Sequence, residues 1–463
     1  MSLVYTLDPY APRRRPTREV RIGSVGIGGD SPIRVQSMTT TNTMDTAGTA
    51  DQIEQLARAG CEIARVTAPS QREAENLREI QAELRRRGVE IPIVADIHFT
   101  PNAAMIAAEH VEKVRINPGN FADKKKFAVR EYTDAEYAEE IERVAERFAP
   151  LVRRCKELGR ALRIGTNHGS LSDRILNRYG DTPAGMVESA LEFLDVCEHE
   201  GFHDVVFSMK ASNAQVAIQA YRLLAARLAE REPAGGSYPF HIGVTEAGDG
   251  RDGRIKSAIG IGALLEDGLG DTIRVSLTEH PVKEVPVAAA LARRSERRWA
   301  QAGRHSLDPG AAFVEDPFSH ARRVTRSIET GGPGLGGGNP VRVELDLGPL
   351  AADPEQAARD LRAALERAAG VSCEGLLVES FGPTHGERLV RFARALEAEG
   401  LKMPLAVRVE GGWVDHCLPI ASRLVVLSGR LVSDEWLANA ADGAKRRGLP
   451  LEWELRGDVA DLP

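Results

Sequence analysis

The sequence predicts an α/β protein: an N-terminal (β/α)8 TIM barrel followed by a second, degenerate and incomplete β/α domain of barrel-like kind. Three observations carry this. Eight short, apolar, β-branched runs alternate with long helix-period segments between residues 33 and 277, a pattern that implies a parallel sheet with right-handed crossovers. Eight such units over about 250 residues is the size of a closed barrel, with an open doubly wound sheet as the alternative. Polar residues also recur at the ends of most of the runs, where barrels of this kind place their active sites.

The totals agree. At 463 residues the chain is too long for one ordinary core. Charged residues make up 27% and aromatics only 5%, which suits a soluble α/β enzyme better than a β-sandwich. A net charge of −7 gives no argument for nucleic-acid binding. The basic run Arg13–Arg15 is followed by no apolar stretch, so it is no secretory signal, and no segment has the apolar length of a membrane span. The expected location is cytoplasmic. The five cysteines (Cys61, Cys155, Cys197, Cys373 and Cys417) include no C-x-x-C pair, so their spacing offers no cluster or zinc site.

Residues 1–19 form a polar leader, and residues 20–302 the barrel. Val20–Pro32 reads as a glycine-rich hairpin. The strands follow at Ile33–Met38, Glu62–Thr67, Ile91–Asp96, Lys113–Asn117, Leu162–Gly165, Val205–Lys210, His241–Thr245 and Thr272–Leu277. Helical periodicity fills the gaps at Ala50–Arg58, Gln71–Arg87, Glu136–Leu158, Ala184–Glu198 and Ala214–Leu228, and Pro281–Arg298 completes the barrel. Between Leu162–Gly165 and the next helix lies a polar loop, Thr166 to Ser170.

At the strand ends stand Arg65, then Asp96 and His98, then Arg115, then Arg163 and Asn167, then Lys210, then Glu246, with Arg274 and Ser276 on the last strand. In a barrel they all surround one mouth. Four arginines and a lysine directed into one cavity are destabilising without a polyanion to neutralise them. Guanidinium forks match phosphate oxygens bidentately, so the implied ligand carries phosphate. No Walker-type or G-x-G-x-x-G loop follows a strand, which argues against a nucleotide. Asp96 and His98 alternate along a strand end, so both can face the mouth, or one can anchor the rim. Glu246 is the only carboxylate ending the seventh strand and the best candidate proton donor or charge partner. A structural salt bridge to Arg274 or Lys210 is the other reading.

Residues 303–340 are rich in Gly and Pro and read as linker and hairpin, before a β/α domain over 341–463. The region repeats the start of the barrel. Gly331, Gly334, Leu335, Gly336, Gly337 and Pro340 match Gly23, Gly26, Ile27, Gly28, Gly29 and Pro32, and Val341–Val343 match Ile33–Val35. Strands at Val341–Leu347, Gly375–Glu379, Leu405–Glu410, Leu424–Ser428 and Leu451–Leu455 echo the first five of the barrel. This copy has lost nearly all the strand-end cations and reads as architectural.

The motifs PIRVQSMTTTNT (32–43), VADIHF (94–99), VRINPGNFAD (114–123), RIGTNHGSLSDR (163–174), VFSMKASN (206–213), GVTEAG (243–248), KSAIGIG (256–262) and GDTIRVSLTE (270–279) stand in family order. In them the chain resembles the 4-hydroxy-3-methylbut-2-enyl diphosphate synthases of the non-mevalonate isoprenoid route, in the plant- and chlamydia-type long form. The resemblance implies an oxidoreductase that binds 2-C-methyl-D-erythritol 2,4-cyclodiphosphate and carries out its reductive ring opening and dehydroxylation. Carried over by motif, Arg65, Arg115, Arg163, Lys210, Arg274 and Ser276 resemble the diphosphate-binding set. Asp96, His98 and Asn167 resemble polar substrate contacts, and Glu246 the acidic residue beside the reacting centre.

The resemblance also implies a [4Fe–4S] cluster on three cysteines and a glutamate, within C-P-x-C-G-R and C-x-x-N-G-P-G-E. Neither signature occurs here, so the cluster has no visible ligands in this chain. Three readings follow. The chain is the substrate half of the synthase, its cluster coming from a missing segment or a cluster-bearing subunit, with a ferredoxin or flavodoxin donor. Alternatively it is a non-redox paralogue that binds a phosphorylated metabolite or regulates. Or it is a phosphate-ester lyase or hydrolase using the same mouth. The first is favoured because the strand-end set is complete, and the resemblance implies a homodimer.

Overall fold

The computed structural model describes residues 5–8, 12–97, 100–121, 132–231, 236–301, 324–368, 373–380, 385–409, 420–428 and 434–455. The chain divides into two compact units, Met1–His320 and Ala321–Pro463.

The first unit opens on an antiparallel hairpin, β1 (Val20–Ile22) and β2 (Val25–Ile27). Its turn places Gly23 at φ +58, a backbone conformation that costs glycine nothing. Eight parallel strands follow: β3 (Arg34–Met38), β4 (Ile63–Thr67), β5 (Ile93–Ile97), β6 (Lys113–Ile116), β7 (Ala161–Asn167), β8 (Val205–Lys210), β9 (His241–Gly243) and β10 (Thr272–Arg274). Their order is β8-β7-β6-β5-β4-β3-β10-β9, and a single parallel bridge, Phe207↔Phe240, joins β8 to β9. The ring is therefore a nearly closed barrel.

Alternation along each strand sorts the side chains. Val35, Ala64, Val66, Ala95, Ile97, Val114, Ile116, Leu162, Ile164 and Phe207 belong to the main core shared with the helices. Val20, Ile22 and Ile27 of the hairpin form a separate cluster with Ile63, Val94, Ala161 and Val206. This apolar plug fills the N-terminal end of the barrel, so the charged interior begins above it.

Several boundaries move for local reasons. The first helix begins at Thr46 instead of Ala50, because Asp45 caps it by accepting from the Gly48 N–H. The helix expected from Glu136 begins at Asp134, where Thr133 and Glu136 form a capping box. Thr166 and Asn167, expected in a loop, extend β7, since the ladder with β8 continues through Asn167↔Lys210. Conversely, β9 and β10 end at Gly243 and Arg274, so Thr245 and Ser276 lie beyond the ladder.

The second unit is a five-stranded parallel sheet in sequential order: β11 (Glu344–Pro349), β12 (Gly375–Ser380), β13 (Leu405–Val409), β14 (Arg423–Ser428) and β15 (Leu451–Leu455). Its core joins Leu376, Val378, Val407, Val409, Leu424 and Val426 to Leu361, Leu389, Phe392 and Leu396 of the helices. The repeat read from the glycines extends to individual bonds. Arg34 donates to the Gly26 carbonyl (3.0 Å) and to Glu62 (2.6 Å). Arg342 donates to the Gly334 carbonyl (3.2 Å) and to Glu374 (2.7 Å). Gly29 N–H donates to Thr17 and Gly337 N–H to Thr325. Val20↔Ile27 in the first hairpin has its counterpart in the bridge Ile328↔Leu335. Val341 and Val343, counterparts of the buried Ile33 and Val35, are 86% and 48% exposed.

Candidate active site

Arg65, Asp96, Arg115, Arg163, Asn167, Lys210, Arg274 and Ser276 meet at the C-terminal mouth of the barrel, organised around two buried carboxylates. Asp96 on β5 accepts from Arg115 Nη1 at 2.8 Å and lies 3.4 Å from Arg65 Nε. Arg115 continues from its Nη2 to the Gly165 carbonyl (2.7 Å) and to Asn167 Oδ1 (2.8 Å). This packing requires glycine on β7, because a Cβ at position 165 would stand 2.3 Å from Arg115 Nε. The second carboxylate is Glu284. It accepts from Arg274 Nε and Nη2, both at 3.2 Å, from Ser37 Oγ at 2.8 Å and from the Leu277 N–H at 3.1 Å. Between the two arginine groups sits the Met38 thioether, 3.1 and 2.6 Å from Arg65 Nε and Nη2 and 3.7 Å from Arg274 Nη1.

The expectation of an unneutralised cation cluster is thus corrected: Arg65, Arg115 and Arg274 each have a carboxylate. Arg163 has none. It is fully buried on β7, and none of its three guanidinium nitrogens finds an acceptor among the described residues. Below the mouth, Lys113 Nζ on β6 is buried and equally unpartnered. Burial, then the neighbouring Arg65 and Arg115, hold the Arg163 pKa well below its ordinary value. Lys210 is lowered by burial and by Arg115 and Arg65. Arg65 falls to about 10, burial outweighing the pull of Asp96. His241, on the adjoining β9, is pushed well down by burial, Arg163 and Lys113, so its ring is neutral at pH 7. Five mouth cations against two carboxylates leave an interior that favours an anion.

Arg65, Lys210, Arg274 and Ser276 line one pocket, which His241 and Ser208 floor. Glu246 does not line it. This side chain is exposed at the rim, and at φ +54 it is the one non-glycine among the described residues in the left-handed region. Its carbonyl accepts from Lys256 Nζ. The alternative salt bridge to Arg274 or Lys210 does not form, since Glu284 takes Arg274. His98 lies outside the described residues. Glu284 is the residue that sequence reasoning missed. The available signal was an acidic residue opening a helix just after Pro281, a position that also serves ordinary helix starts.

An iron–sulfur cluster needs grouped thiolates. Cys61 and Cys155 are buried, and burial pushes each thiol up to about 12, while Cys197 is raised well above its ordinary value. Cys373 stands in the second unit beside the Gly375 carbonyl, and Cys417 lies outside the described residues. The described residues contain no group of three or more His, Cys, Asp or Glu able to hold a metal ion, so the cysteines seen here do not fit a cluster. Among them, too, no helix is long and apolar enough to cross a membrane.

Comparison with known proteins places these features. A 4-hydroxy-3-methylbut-2-en-1-yl diphosphate synthase (flavodoxin) of Leptospira interrogans is 58% identical over 347 residues, covering 75% of this chain and 51% of that protein. The Protochlamydia amoebophila protein of the same name is 61% identical over 273 residues, 59% of this chain and 41% of its own. The chloroplastic, ferredoxin-type synthase of Oryza sativa subsp. japonica is 52% identical over 305 residues, 66% of this chain and 40% of its own. The chain spans about half the length of the curated relatives it matches. A family model for the GcpE TIM-barrel domain matches residues 17–289, which include all eight barrel strands, and the chain belongs to that family.

Proposed function

We propose that this chain is the substrate-binding part of a 4-hydroxy-3-methylbut-2-en-1-yl diphosphate synthase. In this reading it takes 2-C-methyl-D-erythritol 2,4-cyclodiphosphate for reductive ring opening and dehydroxylation. The observation that carries the reading is the mouth itself: five cations, two carboxylates, and Arg163 buried with no acceptor among the described residues. Such a site is built for a compact polyanion. Arg65, Arg115, Arg163, Lys210, Arg274 and Ser276 bind the diphosphate, and Asn167 orients Arg115. Asp96 spaces two of the arginines, and Glu246, without a cationic partner at the rim, supplies the carboxyl that can protonate a leaving oxygen. His98 is proposed with Asp96 as a further polar contact.

The described cysteines do not fit a [4Fe–4S] cluster, so no electron-transfer step is assigned to these residues. Electrons come from a cluster-bearing segment or subunit, with a flavodoxin or ferredoxin donor of the kind the relatives' names state. A second reading is a protein that binds the phosphorylated metabolite at the same mouth without reducing it. Calorimetry with the cyclodiphosphate comes first, and no binding would sink both readings. Turnover with reduced carrier after adding cluster-bearing protein then supports the synthase. Tight binding with persistently zero turnover supports the binder.

A further inference from the structure

Glu284 opens the helix Glu284–Gln301 and is 2% exposed. It sits above the seam between the first and last strands of the barrel. The β3–β10 ladder consists of Thr272↔Arg34 and Ile273↔Val35, so it stops one residue short of Arg274. Above that point one carboxylate bridges the two strands, taking Ser37 Oγ from β3 and Nε and Nη2 from Arg274 of β10, beside the looser approach of Arg274 Nη1 to the Met38 sulfur. The Leu277 N–H fixes the carboxylate from the loop that follows. Holding the Nε–Nη2 edge leaves Nη1, which lies 3.7 Å from the Met38 sulfur. Arg274 lines the same pocket as Arg65, Lys210 and Ser276.

We propose that Glu284 is a positioning residue: by gripping one edge of the Arg274 guanidinium across the barrel seam, it aims the other edge at the phosphate of the ligand. The inference rests on the reading of the mouth as a diphosphate site. It differs in sign from a role in charge balance. A carboxylate that merely offset the cations would oppose anion binding, so its removal would tighten it. A carboxylate that sets geometry weakens binding when removed, although the site becomes more positive.

The test is calorimetry of the full chain with inorganic pyrophosphate at fixed ionic strength. Glu284→Gln is expected to raise Kd about tenfold or more. In an Arg274→Gln background the same change is expected to add nothing, because both act through one contact. Equal or tighter binding by Glu284→Gln overturns the proposal, and so do additive losses in the double variant. If circular dichroism shows that Glu284→Gln does not fold, Ser37→Ala decides. Ser37 lines no part of the pocket and its Oγ is turned to Glu284, so an affinity several-fold weaker supports the proposal and an unchanged one refutes it. A parent chain that fails to bind pyrophosphate would instead refute the anion-site reading itself.

Discussion

Arg163→Met should make the free protein more stable and the site useless. Arg163 is buried with all three nitrogens lacking acceptors among the described residues. Its neighbours Arg65 and Arg115 add repulsion to the cost of burial. A buried donor without a partner costs about 1–3 kcal/mol, and exchanging buried charged groups for apolar ones of similar volume often gains about 1–4 kcal/mol. Taking roughly 2 kcal/mol, at about 3 °C per kcal/mol for a domain of this size, Tm rises by about 6 °C. Losing a buried charge contact to the ligand costs about 2–5 kcal/mol, or about 30- to 5,000-fold in affinity.

Thermal unfolding with and without pyrophosphate reads both effects. At a concentration of about 100 Kd for the parent, ligand adds about 2.7 kcal/mol to the parent and between about 0 and 0.9 kcal/mol to the variant. The variant should therefore melt higher alone and gain at most about a third of the parent's shift from ligand. A free variant that melts lower than the parent would refute the reasoning, because Arg163 would then be a satisfied structural residue. So would a variant that keeps the ligand shift.

Three further outcomes follow from the same geometry. Burial, Arg163 and Arg65 hold the Lys113 pKa well below the ordinary lysine value, so the unfolded chain binds the proton more tightly and stability rises with pH up to about 10.4. Lys113→Met should be more stable than the parent by about 1–3 kcal/mol at neutral pH, the gap closing as pH rises; a gap independent of pH in urea unfolding would contradict this. Gly165→Ala puts a Cβ 2.3 Å from Arg115 Nε, which should cost about 1–3 kcal/mol and weaken pyrophosphate binding, with wild-type affinity counting against the proposed role of Arg115. In the second unit Arg408 is ringed by Asp346 (3.0 Å), Glu379 (3.0 Å) and Glu454 (2.6 Å). Arg408→Ala leaves three carboxylates facing one another, so limited proteolysis should show that unit loosened by about 3–5 kcal/mol, with pyrophosphate binding unchanged.

The barrel was legible because its strands are covered on both faces and so appear as β-branched runs between helices. The strand-end cations were legible because the ends of those runs are where the polarity changes. Their pairing was not. Ser37 and Glu284 are 247 residues apart, and nothing local marks a carboxylate at the start of a helix as the partner of an arginine on the preceding strand. That is why the mouth looked wholly unneutralised from sequence, whereas three of its arginines are held by Asp96 and Glu284. Thr166 and Asn167 were misread for a related reason: their polarity is that of a loop, and only pairing with Met209 and Lys210 makes them strand. Glu246 was found as a candidate, but its left-handed backbone follows from the turn it occupies and has no signature in the residue type.

The two sheets separate what the repeat needed to keep from what it could change. At the N-terminal ends of the strands the contacts are retained, with Arg34, Gly26 and Glu62 answered by Arg342, Gly334 and Glu374. At the C-terminal ends the ladder registers show replacement. Leu377 stands across from Ala406 as Arg65 stands across from Val94, and Arg408 across from Glu379 as Asp96 stands across from Thr67. In the same way Val425 and Glu452 occupy the places of Arg115 and Arg163. The barrel thus has a carboxylate spacing two arginines, and the second sheet an arginine gathering three carboxylates. A face with that inverted charge has no use for phosphate. Conserving one end while inverting the other is what selection on architecture alone would leave, so the proposed anion site is assigned to the barrel, and removing Arg408 tests the second sheet as scaffold only.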